Sequence, residues 1–258
     1  MRQRLKVEER GPALRDRLAV HPLAEQLALT LVQRTDFERN DLLRVVQIDP
    51  ALTAAIMRAA NSGYSPFGQR VTGVRQAVVM LGHNVIAALI ASRVADSVFD
   101  KHRIEYPEWL WPHSVVTATT CAVLARRCGV SPDEAYTAGL LHEVGWLLAA
   151  TNGIAFDERD RTHARLGGEL LERWRLPADL VGAVARHHSP IDVGTTRLTR
   201  IVIAAHPFVE ALGAGSPELN LTMLEGLHSL KIDTREQTIL AEIERELVPI
   251  TSVLEYAQ

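Results

Sequence analysis

The sequence predicts an all-α protein in which a larger helical bundle follows a smaller N-terminal helical lobe. Three observations predict it. Apolar residues recur at helical spacing from Pro22 onward, no stretch alternates apolar and polar residues between hairpin turns, and the punctuation between segments is that of helix caps. With 258 residues the chain is long enough to bury a substantial core without staples. It divides into a charged arm over 1–19, an N-terminal lobe over 20–106, and the larger bundle with its C-terminal helices over 107–258.

The first strong helix signal is Asp49-Pro50, an N-cap followed by proline at the first helical position, opening a helix to about Asn61. Ser62-Gly63, Pro66 and Gly68 force an irregular loop. From about Gly73 the next helix puts Val74, Ala77, Val78 and Leu81 on one face and stops at Gly82. Asn84 is the expected cap of the following helix, which runs to about Phe99, and the charged run 100–108 reads as a connection between lobes.

A long helix opens at Pro107 and ends at Cys128-Gly129. Ser131-Pro132-Asp133-Glu134 is a capping box that starts the helix carrying Gly139 to Glu143. A polar segment over 151–160 separates it from a helix bearing His163, Gly167, Leu170, Leu171 and Trp174. Leu176-Pro177 begins another that ends at His187-His188. Thr196 to Leu212 forms an apolar helix containing His206, and two terminal helices, about Leu219–Leu230 and Arg235–Leu247, close the bundle.

Bulk properties exclude several function classes. A net charge of -3 gives no global positive field to hold nucleic acid. The charged start lacks the apolar region of a secretory signal, and no apolar run reaches the roughly 18 residues of a membrane span, so a cytoplasmic chain is expected. Cys121 and Cys128 lie seven apart on one helical face, about 10 Å along the axis, too far for a disulfide. They are expected as reduced thiols.

Chemistry concentrates in the histidines. Of ten, six (His113, His142, His163, His187, His188 and His206) fall within one stretch of fewer than a hundred residues, five of them at or near the ends of separate helices or beside loops. Neutral imidazoles converging with a carboxylate are what a bundle metal site requires, and Glu143 supplies the acid. Each residue has a simpler reading beside this one. A lone histidine is a rim or core residue, His187-His188 can cap a helix C-terminus, and His206 in Ala-Ala-His-Pro has a structural claim. Glu143, inside an apolar run, needs a partner in either case.

The ordered set His113-Ser114, Gly139-Leu140-Leu141-His142-Glu143-Val144-Gly145, His163 to Gly167, and His187-His188 resembles the HD superfamily of metal phosphohydrolases. Ile48-Asp49-Pro50-Ala51-Leu52, Arg58-Ala59-Ala60-Asn61-Ser62, Val79-Met80-Leu81-Gly82 and Trp174-Arg175-Leu176-Pro177 are similar to the HDOD domain, the HD-related output domain of bacterial signalling proteins. The resemblance spans roughly residues 20 to 250 and implies an HD-like helical bundle.

Members of that family are generally regarded as non-enzymatic outputs or adaptors, whereas the related HD-GYP proteins hydrolyse cyclic dinucleotides. This sequence departs from the enzymes at four places. Glu143 stands for their aspartate, His206 for a late aspartate, Trp146 for a lysine, and Ser189-Pro190-Ile191-Asp192 for the Gly-Tyr-Pro loop. The lengthened acid puts metal bridging in question, and the lost aspartate removes a negative ligand.

The resemblance therefore implies a regulatory module that binds a signalling protein partner or a small ligand. Its pocket would be catalytically degenerate, with His113, His142, Glu143, His163, His187, His188 and His206 holding one iron, zinc or manganese ion. Asp49, Arg58, Asn61 and Ser62 are the binding-surface candidates, with helix C-capping the simpler reading of Asn61. The alternative is a metal-dependent phosphohydrolase acting on a nucleotide or cyclic dinucleotide through a metal-bound water. Nucleic-acid binding through Arg58, Arg70 and Arg75 is disfavoured, since such a cluster is ordinarily a solvated face.

Overall fold

The structure is a computed structural model that describes residues 18–32, 38–63, 70–99, 107, 109–154, 162–212, 230 and 236–255. Among the described residues every regular element is helical. The N-terminal lobe contains α1 (Pro22–Val32), α2 (Arg39–Gln47), α3 (Pro50–Ser62), α4 (Val74–Leu81) and α5 (His83–Phe99). The larger bundle contains α6 (Leu110–Cys128), α7 (Pro132–Leu141), α8 (Val144–Thr151), α9 (Thr162–Arg173), α10 (Ala178–Arg186), α11 (Arg197–Ala211) and α12 (Glu236–Glu255).

Asp49 caps α3 as its sequence signature predicts, accepting from the Leu52 amide at 2.7 Å. Its other oxygen accepts from the amide of His21 at 2.8 Å, so one buried carboxylate also ties down the segment leading into α1. Burial pushes the Asp49 carboxyl up to about 6, against the pull of these amide donors. Ser131 caps α7, and α6 ends on Gly129 at φ 66, a left-handed residue where glycine has no Cβ to clash.

Three boundaries differ from the sequence expectation. The helix expected to run unbroken past Glu143 is two helices, with His142 and Glu143 at the corner between α7 and α8. Asn84 is not a cap, because α5 already begins at His83. The long helix begins at Leu110 rather than at Pro107. Of the two terminal helices, α12 extends to Glu255, while that at 219–230 lies outside the described residues except Leu230. So does most of the connection at 100–108.

One continuous core joins both lobes. Leu42, Leu52, Ile56, Met57, Ile86 and Ile90 fill the N-terminal part, and Leu124, Leu140, Leu141, Leu148, Leu170 and Phe208 the larger part, all below 3% exposed. Leu18, within the segment read as a charged arm, is buried in this core. Helix α6 is central, packing on α7, α11 and α12, while α3 and α4 pack on α7 to join the lobes. Cys121 is buried and Cys128 half-buried, both as free thiols. No single helix among the described residues is long and apolar enough to cross a membrane.

Candidate metal centre

The break between α7 and α8 is what turns a helical motif into a site. His142 ends α7, and its Nδ1 lies 2.6 Å from the carbonyl of Gly139, three residues earlier. His187 repeats the arrangement at the end of α10, with Nδ1 2.7 Å from the carbonyl of Val184. A carbonyl only accepts, so in both rings Nδ1 carries the proton and Nε2 keeps its lone pair for the interior. Helix-end geometry thus fixes the tautomer in which a histidine acts as an Nε2 ligand.

The remaining groups arrive on three more elements: His113 from the first turns of α6, His163 from the start of α9 and His206 from α11. Nε2 of His113 and of His142 are 3.0 Å apart. Nε2 of His163 is 3.3 Å from that of His187 and 3.0 Å from that of His188. The potential ligand atoms fall into two groups, His113, His142 and His206 in one, and Glu143, His163, His187 and His188 in the other. All seven sequence-predicted residues are therefore brought together, in two adjoining clusters rather than around a single point.

Glu143 stands between the clusters. Its Oε2 is 3.1 Å from Nε2 of His163, while Oε1 is 3.5 Å from Nε2 of His142 and 3.9 Å from that of His113. Oε1 is also 3.8 Å from Nε2 of His187, so Oε2 faces the His163 cluster alone while Oε1 stands between the two. The approach of α8 to α9 depends on Gly145, where a Cβ would lie 1.9 Å from the carbonyl oxygen of His163.

The centre is enclosed. Exposure is 1% at His113, 0% at His142, 5% at Glu143, 3% at His163, 2% at His187 and 3% at His206, leaving His188 as the half-buried member. Trp146, where the enzymes carry lysine, stacks on His163 with centroids 5.5 Å apart. Trp109 stands edge-on to both Trp146 and His113. Together the two indoles form an apolar wall.

Burial dominates the protonation states. It lowers His142 to about 3 and holds His187 and His206 well below the ordinary imidazole value, neighbouring histidines adding to the effect. Burial alone would raise Glu143, but the imidazoles of His142, His163 and His187 around it hold its carboxyl well below the usual range. Burial thus disfavours the charged form of His142, His187 and His206 while Glu143 is held ionised, and a buried carboxylate is costly without a cation. Both ring nitrogens of His206 are buried without a hydrogen-bond partner, against the rule for buried polar groups. An ion among these residues would answer both deficits, and imidazoles with a carboxylate are a donor set that suits a divalent transition metal.

The binding-surface candidates lie elsewhere. Asp49 is 1% exposed and engaged as a cap, so it presents no surface. Asn61 does not act as a C-cap. It binds the backbone of Val71 through both side-chain atoms and the carbonyl of Met57, pinning the α3–α4 loop. Ser62 bonds the carbonyl of Ala59. Arg58 lies over the Trp174 ring at 5.0 Å, and Arg70 donates to the carbonyls of Arg175 and Leu176, so two of the three basic residues grip the protein itself. Of the two residues whose carbonyls orient the rings of His142 and His187, Gly139 belongs to the sequence motif and Val184 to none, although both lie three residues before their histidine.

Comparison with known proteins follows these lines. The HDOD domain model matches residues 20–153 and the HD domain model residues 110–243. Ribonuclease Y of Opitutus terrae is 28% identical over 157 residues, covering 59% of this chain and 28% of that protein. The chain thus spans about a quarter of the length of the curated relatives it matches. Among solved structures, the MmoQ response regulator of Methylococcus capsulatus superposes with a TM-score of 0.69 at 24% identity, over 88% of this chain and 99% of that one. A virulence factor from Campylobacter jejuni superposes at 0.53 with 15% identity, over 88% and 93%.

Proposed function

The chain belongs to the HDOD family, and from that premise we propose that it is a regulatory module of bacterial signal transduction that acts by binding a protein partner or small ligand, built around a metal centre with little hydrolytic power. The observation that carries this reading is enclosure. Six of the seven ligand candidates are no more than 5% exposed among the described residues, and Trp146 stacks on His163, which disfavours entry of a bulky phosphodiester.

Under this reading His113, His142 and His206 would hold one ion, and Glu143, His163, His187 and His188 a second. When bound, such ions would act as Lewis acids and lower the pKa of coordinated water. The protein's own contribution is to fix the imidazole tautomers through Gly139 and Val184, to exclude water with Trp109 and Trp146, and to keep Glu143 ionised. Only one carboxylate offsets the charge of the ions, so the ligand set favours retention of a bound anion over turnover.

A second reading is a metal-dependent phosphohydrolase acting on a nucleotide or cyclic dinucleotide. What favours it is Glu143, whose oxygens between them face both clusters as those of a bridging acid would, together with the similarity to ribonuclease Y, by name an enzyme of phosphodiester chemistry. Elemental analysis of protein purified without chelator, followed by assays on cyclic dinucleotides and short RNA with manganese and ferrous iron, separates the two. Bound metal with no turnover is expected. Rapid cleavage of any of these substrates, abolished by His142→Ala, would replace the first reading by the second.

A further inference from the structure

A cleft of about 570 Å³ opens between α2 and α4 of the N-terminal lobe and α6, α7 and α12. None of the seven histidine-cluster residues lines it. Its volume falls within the range of roughly 300–1,000 Å³ typical of small-molecule sites. Ile48, Ala122 and Tyr136 give it an apolar floor, and the hydroxyl of Tyr136 donates to the carbonyl of Gln47 at 2.9 Å, closing the floor between the lobes.

The rim carries three guanidinium groups from three helices: Arg44, Arg75 and Arg126. The two carboxylates beside them are engaged. Glu246 binds Arg126 at 2.8 Å, and Asp133 accepts from the backbone amides of Arg75 and Gln76, capping α4 from across the lobe boundary. Arg126 is therefore neutralised, and Glu242 adds to this. Among the described residues Arg44 pairs with Asp41 alone, at 3.9 Å, and Arg75 makes no ion pair. Two guanidiniums without strong partners thus border an apolar-floored cleft shared by both lobes.

We propose that this cleft is a ligand site for a phosphate-bearing organic anion with a planar body, of about the size of a nucleoside monophosphate. Arg44 and Arg75 receive the phosphate as paired cations, the bidentate fork of guanidinium being suited to phosphate oxygens. The planar body lies on Tyr136, Ile48 and Ala122. Because α2 and α4 form one wall and α6 and α7 the other, an occupied site joins the two lobes. The proposal gives the small-ligand binding suggested above a location of its own, separate from the metal centre.

The test is a titration of the full chain, with and without prior chelator treatment, using N-methylanthraniloyl-GMP followed by fluorescence anisotropy, with GMP and AMP as competitors. Saturable binding displaced by both nucleotides is expected. Charge reversal by Arg75→Glu or Arg44→Glu should weaken it by about 10-fold or more, since each removes a charge-assisted contact. Both side chains are exposed, so circular dichroism and melting temperature should be unchanged. Chelator treatment and His188→Ala should leave binding as it was. Absence of saturable binding overturns the proposal, as does binding indifferent to both charge reversals. Binding that disappears with the metal also overturns it, by assigning the anion to the histidine centre. Phosphodiesterase turnover, the readout of the function proposed above, is scored separately.

Discussion

Oε2 of Glu143 lies 3.1 Å from Nε2 of His163, across the junction of α8 and α9. This contact joins the cluster that contains His163 to the corner residue that also faces His142 and His113. Glu143→Gln keeps the shape but removes the charge that offsets a cation. Metal content of the purified protein should fall sharply, with affinity reduced by at least the roughly 10–100-fold that changes outside the ligand set themselves produce. Elemental analysis and competition with a metal chelator measure it, and a variant that retains its metal at parental affinity would refute the role given to the carboxylate.

Gly145→Ala tests the packing beneath the centre. A Cβ there would lie 1.9 Å from the His163 carbonyl oxygen and 3.0 Å from the Gly167 amide, so α9 must move. Destabilisation of about 1–3 kcal/mol or more is expected from overpacking, read by urea unfolding, together with loss of metal as His163 is displaced.

Acid should destabilise the metal-free protein through its buried histidines. His21, stacked on Trp111, is lowered to about 4 by burial, and His142 to about 3. Their folded pKa values lie below the unfolded value of 6.5, so the unfolded chain binds protons first as the pH falls. The stability they support is complete above pH 6.5 and is lost progressively toward pH 4 and below. Asp49, raised to about 6, takes up its proton in the folded state first and opposes this, so denaturant midpoints are compared in an Asp49→Asn background, where they should fall between pH 7.5 and 4.5; a flat profile there would contradict the burial of neutral rings.

Asp49→Ala should cost about 2 kcal/mol, at the upper end for an N-cap, because the carboxylate serves both the Leu52 and the His21 amides. Asp49→Asn keeps one acceptor for α3 but turns a donor toward the other amide, so an intermediate loss is expected. Thermal melts of the two variants should rank in that order.

Much of the fold was legible because caps are local. Asp49-Pro50, Ser131-Pro132 and Cys128-Gly129 mark their helix ends within a few residues, and the structure keeps those ends. The break at His142-Glu143 was not legible, since the run from Ala138 to Ala150 is apolar almost throughout and offers no glycine-proline signal there. The ligand residues could be named from order and spacing. Their division into two clusters could not, because it depends on how far α6 and α11 approach α9 and α10. The place of His206 beside His113 and His142 was hidden for the same reason. Its neighbours in sequence are small and apolar, while its neighbours in space are other imidazoles. Asn61 shows the converse, a residue in the last turn of α3 whose partner lies ten positions on and invisible to any local rule.

The grip of Arg70 on the carbonyls of Arg175 and Leu176 has a mechanical consequence. Arg175 is held at φ 59, a left-handed conformation uncommon for a side-chain-bearing residue, at the turn from which α10 departs. With Arg58 seated on Trp174 in the same turn, the N-terminal lobe clasps one end of α10, and the other end delivers His187 and His188. That helix is a strut spanning from the lobe boundary to the imidazole clusters, so any force that parts the lobes pulls directly on two of the groups that would hold an ion.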